Sequence, residues 1–154
     1  LIESVFDGAT INTPSMLCVE DAIDGLHWAE RIGGIRQLIA RSAANLAIIH
    51  RWIERSENIA FLAEDPSTIS NTSVCIKIVA PWFCELELVT QRKITDRISN
   101  LLEGEGVAYD INSYRDAPPG LRIWAGSTIE VRDLQALLPW IDWAILNIKL
   151  EMSS

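Results

Sequence analysis

The chain has 154 residues, with 13 Lys or Arg against 21 Asp or Glu and a formal net charge of −8; its pI is near 4.7. This length is enough for one hydrophobic core and short for a two-domain enzyme. The acidic balance argues against nucleic acid or an anionic membrane as the main partner, because both reward clustered basic surface. No apolar run approaches the roughly 20 residues that a membrane-spanning helix needs.

The cysteines and histidines do not form a metal-binding pattern. Cys18, Cys75 and Cys84 are odd in number and lack metal-ligand spacing, which favours buried reduced thiols. His27 and His50 lie on predicted helices without nearby Cys or His partners. We therefore expect no metal site.

Two helices are predicted at the start of the chain. Thr13 is a candidate N-cap, with Pro14 at the first helical position, where its missing N–H costs nothing. Apolar residues at helical spacing then continue to Gly33 and Gly34, and a second helix of about 20 residues follows. The apolar residues of the two stripes are Met16, Val19, Ile23, Leu26, Ile35, Leu38, Ile39, Leu46, Ile49 and Ile53.

Strands and helices alternate through the rest of the chain. Strands are predicted over residues 58–63, 71–79, 107–114 and 121–125, and helices over 90–103 and 130–149. Pro81 ends the second strand, and a Pro118-Pro119-Gly120 turn joins the last two strands. Strands interleaved with covering helices predict an α/β fold, a two-layer sheet-and-helix sandwich preceded by two long helices.

Two arginines flank the Pro-Pro-Gly turn. Arg115 ends one apolar-alternating run and Arg122 opens the next, so a tight connection brings both guanidiniums to one edge. Each guanidinium is a planar set of donors that matches a carboxylate or a phosphate. Two of them suit a substrate with more than one anionic group. The alternative is that Arg115 pairs with Asp116 while Arg122 is a solvated strand residue.

Asn12 and Thr13 form a second candidate anion site. A carboxamide, a hydroxyl and the free amides of a helix N-terminus together favour an anion. The alternative is that Thr13 only caps its own helix.

Residues 114–124, Tyr-Arg-Asp-Ala-Pro-Pro-Gly-Leu-Arg-Ile-Trp, resemble the end of phosphoserine aminotransferases, which are class V, fold-type I enzymes dependent on pyridoxal phosphate. Residues 11–21, 70–75, 105–110 and 137–143 are similar to further blocks of that family, in the family's order. The resemblance implies a junction over residues 1–14, bridging helices over 15–57 and a small carboxy-terminal domain over 58–154. It also implies that a large domain precedes this chain, so we expect a carboxy-terminal portion of the enzyme.

The resemblance further implies the chemistry of the complete enzyme. Pyridoxal 5'-phosphate would mediate amino-group transfer between glutamate and 3-phosphooxypyruvate, giving O-phosphoserine and 2-oxoglutarate, in serine biosynthesis, in a cytoplasmic homodimer. Arg122 matches the arginine for the substrate α-carboxylate, and Arg115 the one near the distal phosphate or carboxylate. Asn12 and Thr13 match a pair that binds the cofactor phosphate in the neighbouring subunit.

No catalytic residue is expected in this chain, because none of its three lysines, Lys77, Lys93 and Lys149, stands at the position of the cofactor-binding lysine. Tyr114 stands where some members of the family carry His, so it cannot inherit a charged histidine's role. Two other functions stay open from the residues: a different class V aminotransferase, and a non-enzymatic module that binds an anionic metabolite.

Overall fold

The structure is a computed structural model that describes residues 3, 7–10, 12–13 and 15–152. Its helices are α1 (Met16–Arg31), α2 (Gly34–Glu54), α3 (Pro81–Cys84), α4 (Leu88–Gly104) and α5 (Val131–Met152). Its strands are β1 (Ile59–Phe61), β2 (Ser73–Ile78) and β3 (Leu121–Trp124), and a 3-10 turn covers Pro66–Thr68. Within these described residues, no helix is both long and apolar enough to cross a bilayer.

The chain divides into two compact units between Leu38 and Ile39. In the first unit, the N-cap of α1 is Ser15, whose hydroxyl accepts a hydrogen bond from the Cys18 amide at 3.4 Å. The prediction that Thr13 caps this helix is therefore wrong, because the extended residue directly before the first helical turn is Ser15. The predicted role of Pro14 lies outside the described residues.

Two glycines end α1 and begin α2, as the sequence predicts. Gly33 has a φ of +112° and Gly34 a φ of +68°. Side chains with a Cβ rarely adopt these angles, so consecutive glycines allow the chain to leave one helix and enter the next. None of the residues of α1 is buried within the chain.

The second unit contains one antiparallel sheet in the order β1-β2-β3. Ile59 pairs with Ile78 in the first ladder, and Cys75 pairs with Arg122 in the second. Along β2, Val74, Ile76 and Ile78 are buried while the residues between them are half-buried. This period of two is the pattern from which the strand was predicted.

One hydrophobic core joins the inward face of this sheet to the buried faces of the helices. The alternation of sheet and helix confirms the predicted α/β fold. Fully or almost fully buried members of the core are Ile49, Val74, Ile98, Leu102, Leu121, Ile123, Ile141 and Ala144.

A buried asparagine fastens α2 to the segment after β3. The amide nitrogen of Asn45 lies 3.0–3.2 Å from the carbonyl oxygens of Ala125, Gly126 and Ile129. Arg41, one turn earlier, donates to the Ser127 carbonyl at 2.6 Å and pairs with Glu130. The guanidinium holds the pKa of Glu130 below its ordinary value, chiefly through this hydrogen bond. Polar contacts therefore fix the chain just beyond the strand that carries Arg122.

Two further sequence predictions differ from the structure. Residues 107–114 do not form a strand: they contribute a single bridge, between Asn112 and Leu121. Asp110 has a φ of +51°, which interrupts an extended backbone. The three cysteines are free but not buried, since Cys18 and Cys84 are exposed and Cys75 is half-buried.

Candidate functional site

Arg122 lies in the middle of β3, between two buried residues. Leu121 and Ile123 point into the core, so the arginine side chain projects from the opposite face of the sheet. It lines a pocket of about 360 Å³. The other polar or aromatic residues that line this pocket are Ser73, Tyr109, Asp110, Trp124 and Asp133.

The Arg122 guanidinium is held by two neighbours. One terminal nitrogen, Nη2, donates to the Asp110 carboxylate at 2.9 Å, and the other, Nη1, donates to the Tyr114 hydroxyl at 2.8 Å. The guanidinium carbon also lies 4.3 Å from the centre of the Tyr114 ring, a cation–π contact. Only 18% of the side chain is exposed. The alternative in which Arg122 is a solvated strand residue is therefore wrong.

The third nitrogen of this guanidinium has no hydrogen-bond acceptor. Arg122 Nε is buried and makes no hydrogen bond to the residues that the structure describes. A buried donor without an acceptor costs about 1–3 kcal/mol. The site therefore holds a cation with unused hydrogen-bonding capacity.

Arg115 is placed differently. It is exposed and does not line the Arg122 pocket, and the described residues include no ion pair between it and Asp116. The connection after it is anchored, because Arg92 of α4 donates to the Ala117 carbonyl at 2.7 Å. The binding of one substrate by both Arg115 and Arg122 stays a prediction.

Gly120 brings the connection against β2. A Cβ placed on Gly120 would lie 2.2 Å from the Ile76 carbonyl oxygen, closer than any real contact. Only glycine fits there. The position of β3, and with it that of Arg122, depends on this close approach of two backbones.

Asn12 and Thr13 belong to the first unit and are exposed. The Thr13 amide donates to the Asn12 side-chain oxygen at 3.1 Å. The Asn12 amide nitrogen and the Thr13 hydroxyl make no hydrogen bond to described residues. Since Ser15 caps α1, the Thr13 hydroxyl is not occupied by that role.

A second pocket, of about 570 Å³, lies where α2 ends. It is lined by two indoles, Trp52 and Trp82, and by Asp142 and Lys149. The Trp52 indole donates to the Asp142 carboxylate at 2.9 Å. Burial raises the pKa of Asp142 above its ordinary value, and the Trp52 hydrogen bond partly opposes that shift.

Sequence reasoning missed Asp110 as a partner of Arg122. Asp110 is 12 residues from Arg122 in sequence and lies within a segment that was predicted to be a strand. In a regular strand its side chain would alternate with its neighbours, whereas the observed left-handed backbone turns it toward the guanidinium. The Tyr109-Asp110 sequence carries no periodic signal for this contact.

No protein-family model matches the chain. It is 48% identical over 149 residues to a phosphoserine aminotransferase of Methanosarcina mazei, a match covering 97% of this chain and 38% of that protein. It is 46% identical, with the same two coverages, to a phosphoserine aminotransferase of Methanosarcina barkeri. The chain thus spans 38% of the length of these curated relatives.

Solved structures of similar fold carry the same name. Phosphoserine aminotransferase from Bacillus circulans subsp. alkalophilus gives a TM-score of 0.74 at 16% identity, over 93% of this chain and 36% of that one. A phosphoserine aminotransferase structure that records radiation damage of its Schiff base gives a TM-score of 0.74 at 15% identity, with the same coverages. At these identities the likeness establishes the fold.

Proposed function

We propose, because the chain belongs to the phosphoserine aminotransferase family, that it is the carboxy-terminal portion of a transaminase that depends on pyridoxal phosphate. The complete protein transfers an amino group between glutamate and 3-phosphooxypyruvate, which yields O-phosphoserine and 2-oxoglutarate. Identities of 48% and 46% over almost the whole chain support this assignment over another class V aminotransferase or an anion-binding module.

The observation that carries the proposal is the state of Arg122. Its guanidinium faces a pocket, is largely withdrawn from water, and is fixed by Asp110 and Tyr114. A cation in such surroundings binds a carboxylate more strongly than a solvated one, because less water has to be displaced. We assign Arg122 to the substrate α-carboxylate.

Arg115 is the residue that we assign to the second anionic group of the substrate. Its guanidinium is exposed, and no ion pair to the described residues occupies it. It therefore has donors available for the distal phosphate or carboxylate of a substrate. A substrate with anionic groups at both ends engages both arginines, while a neutral amino acid engages Arg122 alone.

Asn12 and Thr13 fit the cofactor phosphate by their chemistry. They present an amide N–H₂ and a hydroxyl, both exposed and without hydrogen bonds to described residues. A phosphate accepts from donors of this kind. When bound, pyridoxal phosphate supplies the electron sink that amino-group transfer needs. These two residues would hold its phosphate, and the lysine that would bind it lies outside this chain.

The assembly is proposed to be a homodimer in the cytoplasm. In the family resemblance, the Asn-Thr pair serves the cofactor of the neighbouring subunit, which requires two chains per site. The free thiols of Cys18, Cys75 and Cys84 suit a reducing compartment.

The test is steady-state kinetics of the complete protein with O-phosphoserine and 2-oxoglutarate. Arg122→Ala is expected to lower kcat/KM by roughly 10-fold to 150-fold, since a hydrogen bond to a charged group contributes about 1.5–3 kcal/mol. Arg115→Ala is expected to raise KM for O-phosphoserine and for 2-oxoglutarate, because each carries a distal anionic group. The control is Arg97→Ala, which removes a surface pair with Glu151, because neither of these residues lines the pocket. Unchanged kinetics in Arg122→Ala would eliminate the proposed role.

A further inference from the structure

We propose that Asp110 is a displaceable counterion of Arg122. Its carboxylate holds the guanidinium while no substrate is bound, and the substrate's anionic group replaces it. The inference rests on the proposed function, because it takes Arg122 as the group that binds the substrate anion.

The Asp110 carboxylate and a substrate carboxylate compete for the same nitrogens of Arg122. A carboxylate can approach a guanidinium across its two terminal nitrogens or across Nε and one terminal nitrogen. Arg122 Nε is buried, so a ligand that enters from the pocket meets the terminal nitrogens. Asp110 already occupies Nη2 at 2.9 Å, and the Tyr114 hydroxyl occupies Nη1 at 2.8 Å. Each terminal nitrogen carries two N–H donors, so the Tyr114 hydroxyl can stay in place. An incoming carboxylate that engages both terminal nitrogens repels the like-charged Asp110 carboxylate on Nη2 and takes its place.

In this ion pair, the Arg122 side chain is held more firmly than the Asp110 side chain. Arg122 is fixed by the β3 register and by Tyr114, and its side chain is 18% exposed, whereas the Asp110 side chain is 89% exposed. Rotation about the side-chain bonds of Asp110 is enough to move its carboxylate into water. A pair with one solvated partner shifts an equilibrium by no more than about fivefold. A bidentate contact from a substrate outcompetes it.

Such a counterion weakens the binding of every anion to the site. Without Asp110, the half-buried guanidinium would attract any small anion that enters the pocket. With Asp110 in place, a ligand has to displace a carboxylate first, and an anion with a second contact elsewhere does so more readily. Because this displacement costs the same for every anion, Asp110 lowers the affinity for substrates and for simple monoanions by a similar factor, and only a ligand with a second contact still binds tightly.

Asp110→Asn in the complete protein is the direct test. Asn keeps the shape of the side chain and tolerates a left-handed backbone, so the variant removes the charge and little else. KM for O-phosphoserine and for glutamate should fall by about twofold to fivefold. Competitive inhibition by acetate should strengthen by a similar factor. Asp110→Gly, which also accommodates the positive φ, provides a second variant.

Asp133→Asn is the matched control. Asp133 lines the same pocket and carries the same charge, but its ion pair is with Arg132 and not with Arg122. Its effect on KM and on acetate inhibition should be clearly smaller. An unchanged or raised KM in both Asp110 variants, or an equal fall in Asp133→Asn, would overturn the proposal. If Arg122→Ala has normal kinetics, the proposed function itself fails, whatever the Asp110 variants do.

Discussion

At the residue scale, the candidate site depends on how each polar side chain is already occupied. Asp110 and Tyr114 occupy the terminal nitrogens of Arg122, and Ser15 occupies the N-cap of α1. The Thr13 hydroxyl, by contrast, has no hydrogen bond to the described residues. Sequence spacing identified Arg122 and Thr13 as candidates, but only the structure shows which alternative roles are filled by other residues.

The separation of Thr13 from Ser15 gives a prediction for cofactor binding. Thr13→Val in the complete protein should weaken pyridoxal phosphate binding by about twofold to tenfold, as one hydrogen bond is lost. Ser15→Ala should instead destabilise α1 by about 0.5–2 kcal/mol, as an N-cap is lost, with cofactor affinity changed less. A cofactor titration followed by absorbance, together with urea unfolding, measures both effects. The reverse pattern would show that Thr13 has only a structural role.

At the element scale, β3 and the connection before it determine where Arg122 points. Gly120 packs against the Ile76 carbonyl, Arg92 holds the Ala117 carbonyl, and Asn45 fastens the chain after the strand. These contacts come from three different elements. Through these contacts, the sheet, α4 and α2 together fix the position of the Arg122 side chain.

Gly120→Ala is expected to be destabilising. Its Cβ would lie 2.2 Å from a backbone oxygen that cannot move independently, so the cost should be at least roughly 1–3 kcal/mol. Gly104→Ala is the control, since a Cβ there meets nothing within 4 Å and alanine is the better helix former by up to about 1 kcal/mol. Urea unfolding of the two variants measures the difference. Equal stabilities would contradict the close approach.

The contact between α2 and α5 should make stability depend on pH. The folded-state pKa of Asp142 is raised, mainly by burial, so the folded chain binds this proton more readily than the unfolded chain. The stability that this proton contributes to the folded chain is fully present below the ordinary pKa of 3.8. It is lost as the pH rises through the folded-state pKa of Asp142. Asp142→Asn should therefore stabilise the chain at pH 7, by less than about 1 kcal/mol because the carboxyl group is only partly withdrawn from water.

Two further measurements check the direction of the Asp142 effect on stability. The advantage of Asp142→Asn over the parent chain should shrink as urea unfolding is repeated toward pH 3.5. Trp52→Phe removes the hydrogen bond that lowers the Asp142 pKa, so the pH dependence of stability should increase. A less stable Asp142→Asn at pH 7 would show that the hydrogen bond outweighs the burial.

The four long helices were predictable from sequence, whereas the short helix α3 and the irregular segments were not. The helix predicted over 130–149 is observed as Val131–Met152, and it continues through Pro139 because buried residues follow on the same face, including Ile141 and Ile148. By contrast, the segment over 107–114 alternates like a strand but turns at Asp110. A periodic pattern reports which face is buried and not whether a partner strand is available.

The Arg122 pocket could be predicted only in part. Its arginine stands in a motif, whereas Tyr109, Asp110 and Asp133 reach the pocket from segments outside that motif. The register of β3 and the turn at Asp110 are tertiary outcomes. No local spacing encodes them, which is why the counterion was missed.

At the scale of the whole molecule, we propose that this chain supplies part of a larger site. It spans 38% of the length of its curated relatives and carries neither a candidate lysine for the cofactor nor a catalytic residue assigned by the resemblance. The residues that we propose as site residues, Arg115, Arg122, Asn12 and Thr13, all carry groups suited to binding anions. We therefore expect the chain to determine substrate and cofactor affinity, while the chemical step belongs to the rest of the protein.

The central claim is that the complete protein transfers amino groups and selects a doubly anionic substrate. The most direct measurement is glutamate formation by that protein from 2-oxoglutarate, with O-phosphoserine or alanine as the amino donor. Since one charge-assisted contact to the phosphate contributes about 1.5–3 kcal/mol, kcat/KM should be at least about tenfold higher with O-phosphoserine. A protein that uses alanine equally well or better would contradict the account.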